Sequence, residues 1–334
     1  MVIFGIEASC DETAVAIIDD SGHILSEAIF SQDHNMFGGV YPEYAARNHV
    51  LSLRPMIGKV LQDAKVSWKD INLIAFTGGP GLIGGLIVAT MLAKSLSLIT
   101  GIPMVPVNHL EGHALMVTMF LDITMPFLLL LISGGHCQIL VVEDVGKYMQ
   151  IGTTIDDSIG ECFDKVAREM QLSYPGGPEI EQYALRGNRK AFSFPKPLLT
   201  KSKYDFSFSG LKTSVINTIH SCQSNDSQYK EDISASFEYT IVQILLDRIQ
   251  NSIQKSQELY GDRDLNTLVV SGGVAANQYI RQSLTDQLDI KCVYPPIKYC
   301  TDNAVMIAWA GYQNYIRNNC TCDLFFTPRS RWPL

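Results

Sequence analysis

The sequence predicts an α/β protein with two similar lobes. Two apolar strands joined by a small polar turn open the chain near residue 2, and the same pattern recurs near residue 127. Helical spacing and further apolar strands follow each opening, and Gly-rich turns lie where several strands end. The length of 334 residues also exceeds the roughly 150 residues of one domain. In such sheets, ligands bind where Gly-rich turns leave the strand ends.

Local patterns predict the elements of the first lobe in turn. Strands are expected at residues 2–6, 14–18, 71–76 and 104–107, because these runs are short, apolar and rich in β-branched residues. Helices are expected at 44–65, 86–99 and 110–120, where apolar side chains recur every three to four positions. The predicted N-terminal lobe spans residues 1–107.

The second lobe is predicted over residues 108–304, with a helical insertion at about 160–225. Its expected strands are 127–132, 138–142 and 268–270. Its expected helices are 162–170, 178–186, 233–260 and one that begins at 277, whereas 188–212 is predicted to be looser because it contains two prolines. A last helix at 305–317, with its tail to 334, is expected to pack back on the N-terminal lobe.

Composition excludes several classes of protein. The chain is 46% hydrophobic and 18% charged, which rules out a disordered tail, and its net charge of −8 argues against a free-standing nucleic-acid binder. Residues 186–212 are an exception, with seven basic residues, one acid and interleaved aromatics. This segment either contacts RNA phosphates and stacks on bases, or is a solvated loop with Phe206 and Phe208 in the core.

Targeting signals and cysteine spacing indicate a cytoplasmic protein that does not enter a membrane. The N-terminus has no basic region, and the longest apolar stretch, 81–107, is broken by Lys94 and two prolines. The eight cysteines form no CxxC pair, which is typical of reduced core thiols.

Two histidines, His109 and His113, are spaced so that a helix would place them on one face. That geometry suits two ligands of a metal, and it also fits a pair of ordinary hydrogen-bonded histidines. Asp302, just before a predicted helix, is a candidate third ligand. The sequence is not H-E-x-x-H, so a zinc protease is weakly supported.

Glycine-rich turns after predicted strands indicate a nucleotide-like ligand. Residues 79–84 match G-x-G-x-x-G, which either binds phosphate or lets a helix pack closely on a strand. The turns Ser133-Gly-Gly and Ser271-Gly-Gly can offer backbone N–H groups to phosphate. In the first hairpin turn, Asp11 could bind a metal, orient water, accept a proton, or simply cap the turn.

Taken in order, these motifs resemble one known family along almost the whole chain. It is the TsaD family (also called YgjD or Gcp), bacterial enzymes that make threonylcarbamoyladenosine in tRNA. The motifs are Gly5-Ile-Glu-Ala-Ser-Cys-Asp-Glu-Thr13, Gly78-Gly-Pro-Gly-Leu82, Asn108-His-Leu-Glu-Gly-His113, Ser133-Gly-Gly-His136, Asp156-Asp-Ser-Ile-Gly-Glu161, Phe163-Asp-Lys165, Tyr174-Pro-Gly-Gly-Pro178, Phe206-Ser-Phe-Ser-Gly-Leu-Lys-Thr213, Gly272-Gly-Val-Ala-Ala-Asn277 and Cys300-Thr-Asp-Asn303.

The resemblance implies the fold of actin, sugar kinases and heat-shock ATPases, a duplicated RNase H-like architecture with an interlobe cleft. The implied reaction moves a threonylcarbamoyl group from threonylcarbamoyl-adenylate to the exocyclic amine of adenosine 37, beside the anticodon, in tRNAs that read codons starting with A. AMP would be released. One divalent metal, iron or alternatively zinc, would bind His109, His113 and Asp302.

The resemblance also implies which residues contact the adenylate and which proteins assist. The implied adenylate contacts are Leu131, Ile132, Ser133, Gly134, Gly135, Asp164, Gly177 and Asn277, with Glu181 near the ribose. We expect Asp11 to be the base or orienting carboxylate. A TsaB-type paralogue and a TsaE-type ATPase are the expected companions. The alternatives are an ATPase or sugar kinase of the same fold, a metalloprotease and a non-catalytic scaffold.

Overall fold

Two five-stranded sheets organise the chain, and almost all of each sheet lies in its own compact unit. The computed structural model describes residues 1–198, 202–221, 227–261 and 265–334. Unit 1 comprises Met1–Thr124, Asp144–Tyr148 and Thr301–Leu334, and unit 2 comprises Met125–Glu143 and Met149–Cys300. Helix 109–120 therefore falls in unit 1, whereas the lobe boundary predicted from the sequence lies before this helix, between residues 107 and 108. The difference arises because this helix packs on the last helix and on the strand that precedes it.

The described residues form ten strands and nine α-helices. The strands are β1 Val2–Glu7, β2 Glu12–Asp19, β3 Ile24–Ser31, β4 Leu73–Gly79, β5 Met104–Asn108, β6 Phe127–Ile132, β7 Cys137–Asp144, β8 Lys147–Thr153, β9 Thr267–Ser271 and β10 Lys291–Val293. The helices are α1 Pro42–Ala64, α2 Ile83–Thr100, α3 His109–Phe120, α4 Ile159–Glu169, α5 Gly176–Ala184, α6 Ser209–Ser221, α7 Ser227–Tyr260, α8 Gln278–Gln287 and α9 Ala304–Asn318.

The sheet of unit 1 has the strand order β3-β2-β1-β4-β5. The first three strands form an antiparallel meander, and β1, β4 and β5 run parallel. These three parallel strands are mostly apolar, and helices cover both of their faces, as is usual for parallel strands. Their carboxyl ends meet at one edge, so the segments that follow Glu7, Gly79 and Asn108 are brought together there.

The glycines of the G-x-G-x-x-G match serve close packing in this structure. Gly81 has a φ of +158°, and a Cβ there would lie 2.5 Å from the carbonyl oxygen of Ser9. A Cβ on Gly84 would lie 2.8 Å from Cβ of Ala46 on α1. Of the two predicted roles, close approach of α2 to its neighbours is therefore the one that the contacts support.

Helix α2 is the one described helix that is long and apolar enough to cross a membrane, a criterion that the core helix of a soluble protein also passes. One face of it packs on β4, β5 and α1. Its other face exposes Ile83, Ile87 and Met91, and near its end Leu98 and Ile99 are 71% and 81% exposed.

The sheet of unit 2 has the strand order β10-β9-β6-β7-β8. Central strand β6 pairs antiparallel with β7 and parallel with β9, so the turns after β6 and β9 lie at the same edge. A Cβ on Gly272 would lie 2.3 Å from the carbonyl oxygen of Ile132, which shows how closely the two turns approach. Helix α7 lines the core with Phe237, Ile241 and Leu245, as its 3–4 spacing predicts.

Candidate active site

A cluster of two histidines and one aspartate lies at the carboxyl edge of the unit 1 sheet. Helix α3 begins at His109 because the Asn108 side chain caps it, accepting a hydrogen bond from the N–H of Leu110 at 2.9 Å. One turn later, His113 lies on the same face. Asp302 comes immediately before Asn303, whose side chain caps α9.

The ligand atoms of the cluster converge on one point. Oδ1 of Asp302 lies 3.1 Å from Nε2 of His113 and 3.4 Å from Nε2 of His109. One ligand atom from each residue lies within 4.8 Å of the others. Two imidazole nitrogens and one carboxylate oxygen are a donor set that suits iron or zinc, so these residues fit a divalent metal.

Charge and burial act against each other in this cluster. Burial raises the pKa of Asp302, but attraction and hydrogen bonds from both histidines outweigh it and hold the pKa well below its ordinary value. Burial lowers the pKa of His109, but Asp302 and Glu7 outweigh it and raise the pKa well above the usual range. The cluster therefore holds its carboxylate ionised, which is the form that binds a metal.

Glu7 contacts the cluster through Nδ1 of His109, the ring nitrogen that does not face Asp302. It is fully buried at the end of β1, and its Oε2 lies 3.1 Å from Nδ1 of His109. The backbone N–H of Ser9 donates to Oε1 at 2.6 Å, and the hydroxyl of Thr77 donates to Oε2. In the neutral ring that a metal binds, a carboxylate on Nδ1 keeps the proton there and leaves Nε2 as the ligand atom that faces the cluster.

Glu7 was not among the site residues predicted from the sequence. The signal that could have revealed it is an acid at the end of a wholly apolar strand, since a buried carboxylate needs donors. Burial raises the pKa of Glu7, but attraction and a hydrogen bond from His109 outweigh it, so the net shift is downward.

Two further carboxylates follow: Asp11 in the turn between β1 and β2, and Glu12 at the start of β2. The Asp11 residue is buried, at 8% exposure. Burial, followed by repulsion from Asp11 and Asp302, raises the pKa of Glu12 well above its ordinary value. Nearby, His49 has hydrogen-bond partners on both ring nitrogens, so it is an ordinary core histidine.

In unit 2, the turn after β6 contains the predicted phosphate-binding residues Ser133, Gly134 and Gly135. The side chains of Leu131 and Ile132 are buried in the sheet, so these two residues can offer a ligand only backbone groups. Gly134 and Gly135 are exposed, and a Cβ added to either would meet no atom within 4 Å. The turn packs on the first residues of α4, where the Gly160 N–H donates to the carbonyl of Ser133 at 3.2 Å.

Hydrogen bonds also connect the other predicted adenylate residues of unit 2. Oδ1 of Asp164 accepts from the N–H of Gly176 at 2.8 Å, which fixes the start of α5 next to Gly177. Glu181, on the same helix, accepts from the N–H of Gln278 at 2.7 Å. This places Glu181 beside the start of α8.

The side-chain amide of Asn277 forms two hydrogen bonds, one through its oxygen and one through its nitrogen. Its oxygen caps α8 by accepting from Ile280 N–H at 2.8 Å, and its Nδ2 donates to Glu238 at 2.7 Å. Burial is the largest influence on Glu238 and raises its pKa to about 7. Asn277 is thus held in one orientation by a buried carboxyl group.

The aromatic side chains of the basic segment, residues 186–212, are not placed as base stacking would require. Phe206 and Phe208 are fully buried and Phe194 nearly so, because they pack in the core of unit 2. The prediction that RNA bases stack on these rings is therefore wrong. Several of the cations are engaged as well: Arg186 pairs with Glu231 at 2.7 Å, and Lys212 pairs with Asp157.

The prediction of RNA contact rests on three lysines of this segment. Lys196 and Lys203 are exposed, while Lys201 lies outside the part of the chain that the structure describes. Contact between these lysines and RNA phosphates stays a prediction.

Solved structures of low sequence identity share this fold. Full-length HypF, in its phosphate- and nucleotide-bound form, superposes with a TM-score of 0.62 at 15% identity, covering 94% of this chain and 46% of that one. Component A of the (R)-2-hydroxyglutaryl-CoA dehydratase from Acidaminococcus fermentans gives a TM-score of 0.55 at 15% identity, covering 95% and 100%. The two-lobed α/β fold class expected from the resemblance is confirmed.

Sequence comparison gives the family. A protein of Ehrlichia chaffeensis named tRNA N6-adenosine threonylcarbamoyltransferase is 48% identical, covering 100% of this chain and 96% of its own. The protein of that name in Rickettsia rickettsii is 46% identical, covering 99% and 98%. The profile of TsaD, tRNA N6-adenosine threonylcarbamoyltransferase, matches residues 23–309. The chain therefore belongs to the TsaD family of tRNA N6-adenosine threonylcarbamoyltransferases.

Proposed function

We propose that this acyltransferase uses threonylcarbamoyl-adenylate as its donor and the exocyclic amine of adenosine 37 in tRNA as its acceptor. Membership of the family, with near-complete coverage of its relatives, supports tRNA modification by threonylcarbamoyl transfer. The single observation that supports the chemistry is the convergence of His109, His113 and Asp302 on one point. In the reaction, the amine nitrogen bonds to the carbamoyl carbon, the bond from that carbon to the phosphate oxygen breaks, and AMP leaves with the electron pair.

The three residues of the cluster would hold one divalent metal, which we take to be iron, with zinc as the other candidate. When bound, the metal supplies positive charge that polarises an oxygen of the donor. The protein's part is to present both Nε2 atoms: Glu7 keeps the proton of His109 on Nδ1, and the Asn108 cap fixes the first turn of α3.

The adenylate would be held by unit 2. Exposed backbone N–H groups of Gly134 and Gly135 suit a phosphate, because the glycines let it approach closely. Gly177 is open in the same way, and Asp164 fixes the turn beside it. Asn277 and Glu181 would contact the nucleoside.

Asp11 is proposed to take the proton that the amine loses. An adenine amine is a poor nucleophile because its lone pair is delocalised, so positioning and proton removal both matter. Asp11→Asn keeps the shape and removes the base, and transfer is expected to fall at least about a hundredfold with donor supplied. Glu12→Gln is the matched variant; if it alone abolishes transfer, the base is Glu12.

The exposed apolar face of α2 is proposed to bind a TsaB-type companion. Ile87, Met91 and Leu98 are exposed on it, and neighbouring α1 adds Val50 and Leu51. A patch of this kind marks a protein interface more often than an ordinary surface. Met91→Glu with Leu98→Glu should abolish co-elution with the companion. A TsaE-type ATPase is proposed as the second companion, and a cytoplasmic location as the compartment.

Reconstitution tests the function directly. Full-length chain, companions, threonylcarbamoyl-adenylate and unmodified tRNA are mixed, and the nucleosides are analysed by mass. His113→Ala should lose both bound metal and product, whereas His23→Ala, an exposed histidine on the β2–β3 turn, should lose neither. Product formation by the metal-free His113→Ala variant would refute the role of the cluster. A kinase or metalloprotease activity is not favoured by the family assignment.

A further inference from the structure

The C-terminal segment, residues 326–333, packs on the end of β4 and on the loop between β4 and α2. The N–H of Arg329 donates to the carbonyl of Gly78 at 2.8 Å, and the N–H of Gly81 donates to the carbonyl of Ser330 at 3.3 Å. Phe326 packs edge-on against Phe76, with ring centroids 5.6 Å apart. The segment is therefore anchored by backbone hydrogen bonds and by an aromatic contact.

Glycine makes this close contact achievable. Gly79 has a φ of +145°, and a Cβ there would lie 1.9 Å from the carbonyl oxygen of Arg329. A Cβ on Gly78 would lie 2.8 Å from the ring of Phe326. The end of β4 thus accommodates the backbone of the C-terminal segment, which any larger residue at Gly79 would displace.

The C-terminal segment runs beside the metal cluster. Nδ2 of Asn108 donates to the carbonyl of Trp332 at 3.0 Å, and Asn108 directly precedes His109. On the other side, Leu82 N–H donates to Ser9 carbonyl at 2.7 Å, and the Ser9 hydroxyl lies 3.2 Å from Nδ1 of His109. The segment is thus linked to the first cluster ligand from two directions.

Two arginines of the C-terminal segment carry charge that no described carboxylate neutralises. Arg329 and Arg331 are both exposed, and among the described residues neither lies within 4.0 Å of an acidic oxygen. The guanidinium of Arg329 lies 4.8 Å from the ring centre of Trp332, which orients it. Arginine is suited to phosphate because its planar N–H groups can form two parallel hydrogen bonds.

The acidic character of the cluster makes such cations useful. Asp11, Glu12 and Asp302 lie in this region, and a polyanion that approaches them would be repelled unless positive charge stands nearby. We propose that Arg329 and Arg331 bind the phosphodiester backbone of the RNA substrate close to the nucleotide that is modified. The inference rests on the proposed function and adds a contact surface to it.

The test uses the double variant Arg329→Gln with Arg331→Gln in the reconstituted reaction. The KM for tRNA should rise about tenfold or more at 0.1 M salt, and the slope of log affinity against log salt should fall by about 1.4 to 1.8. The control is Lys65→Gln with Lys69→Gln. It also removes two positive charges, from exposed sites between the end of α1 and the start of β4. The C-terminal segment contacts the other end of β4.

Further measurements separate the outcomes. Arg329→Lys with Arg331→Lys should restore much of the salt dependence, because charge is kept, and an equal melting temperature for all variants excludes loss of the fold. A rise in the KM for the adenylate donor with an unchanged KM for tRNA would overturn the proposal, since the arginines would then bind the donor's phosphate. Unchanged values for both substrates would overturn it as well. Wild-type product formation is scored separately, so failure of the proposed function is distinguishable.

Discussion

Replacing Glu7 by glutamine tests whether the buried carboxylate controls metal binding through His109. The change is nearly isosteric, but Glu7 accepts from the Ser9 N–H on Oε1 and from the Thr77 hydroxyl and His109 Nδ1 on Oε2, and the Ser9 hydroxyl is a further partner. A carboxamide can accept on one side only. If its oxygen stays on Ser9, its NH₂ group faces His109.

The expected loss of metal affinity follows from the tautomer of His109 that this NH₂ group favours. An NH₂ group opposite Nδ1 favours the neutral tautomer of His109 in which Nδ1 accepts and the proton lies on Nε2, the atom that faces Asp302; the Ser9 hydroxyl, 3.2 Å from Nδ1, can donate or accept. A metal on Nε2 would require the ring proton to be on Nδ1, where it would face the NH₂ group donor against donor. The Thr77 hydroxyl can turn toward the carbonyl of Ile6, 3.3 Å away, so most of the penalty falls on the histidine. Loss of such an outer partner costs about 10- to 100-fold in metal affinity, and we expect the upper end, about 2.7 kcal/mol.

The assay is competition with a chelator for Zn²⁺ or Co²⁺ on the purified full chain at fixed pH. Nitrogen-15 spectra of metal-free protein, recorded at a pH where His109 is neutral, should show its proton on Nε2 in the variant and on Nδ1 in the wild type. Thr77→Val is the control, because it removes a donor to Glu7 but keeps the carboxylate, and we expect less than about a threefold change. Metal affinity of Glu7→Gln within threefold of wild type, in a folded protein, would refute the reasoning.

Three more predictions concern other parts of the chain. Asp156→Ala should lower the free energy of unfolding by about 2–4 kcal/mol in urea titrations, because Asp156 accepts hydrogen bonds from two serine hydroxyls and two N–H groups of the segment before α6; an unchanged midpoint would contradict this. Glu238 has a folded pKa of about 7 against 4.5 for the free side chain, so the folded state binds the extra proton and wild-type stability should fall by up to roughly 3 kcal/mol as pH rises from 4.5 to 7. Glu238→Gln should remove that slope, gaining on wild type at pH 8 but not at pH 4; parallel pH profiles would contradict it. Gly79→Ala should free the C-terminal segment and speed its hydrogen exchange, whereas Gly39→Ala, also at positive φ but with no atom within 4 Å, should not; equal exchange in both variants would count against the packing role.

Much of the fold could be predicted from local pattern, and the misses have physical causes. Strand β6 has the predicted bounds because a six-residue apolar run in a central strand leaves little choice. Strand β3 was missed because it lies at the sheet edge, is half exposed and carries serine and glutamate. Helix α6 was missed because its serine, threonine and asparagine are poor helix formers, and packing on α4 and α7 outweighs that preference.

The candidate site was predictable only where its residues are close in sequence. The spacing of His109 and His113 is a local signal, and it identified the pair. Glu7 is 102 residues away from His109, and the two meet because β1, β4 and β5 pair in a particular register. A pairing register depends on the whole sheet, so no local pattern could reveal that contact.

The Asn108 side chain has a consequence beyond holding two segments. Its oxygen fixes the first turn of the helix that carries His109, while its nitrogen holds the backbone next to Arg331. One amide group therefore joins a ligand of the cluster to the cationic segment. Equilibrium linkage requires that such coupling be reciprocal. If a cation bound at the histidines raises the affinity for a polyanion through Asn108 by some factor, the bound polyanion raises the affinity for the cation by the same factor.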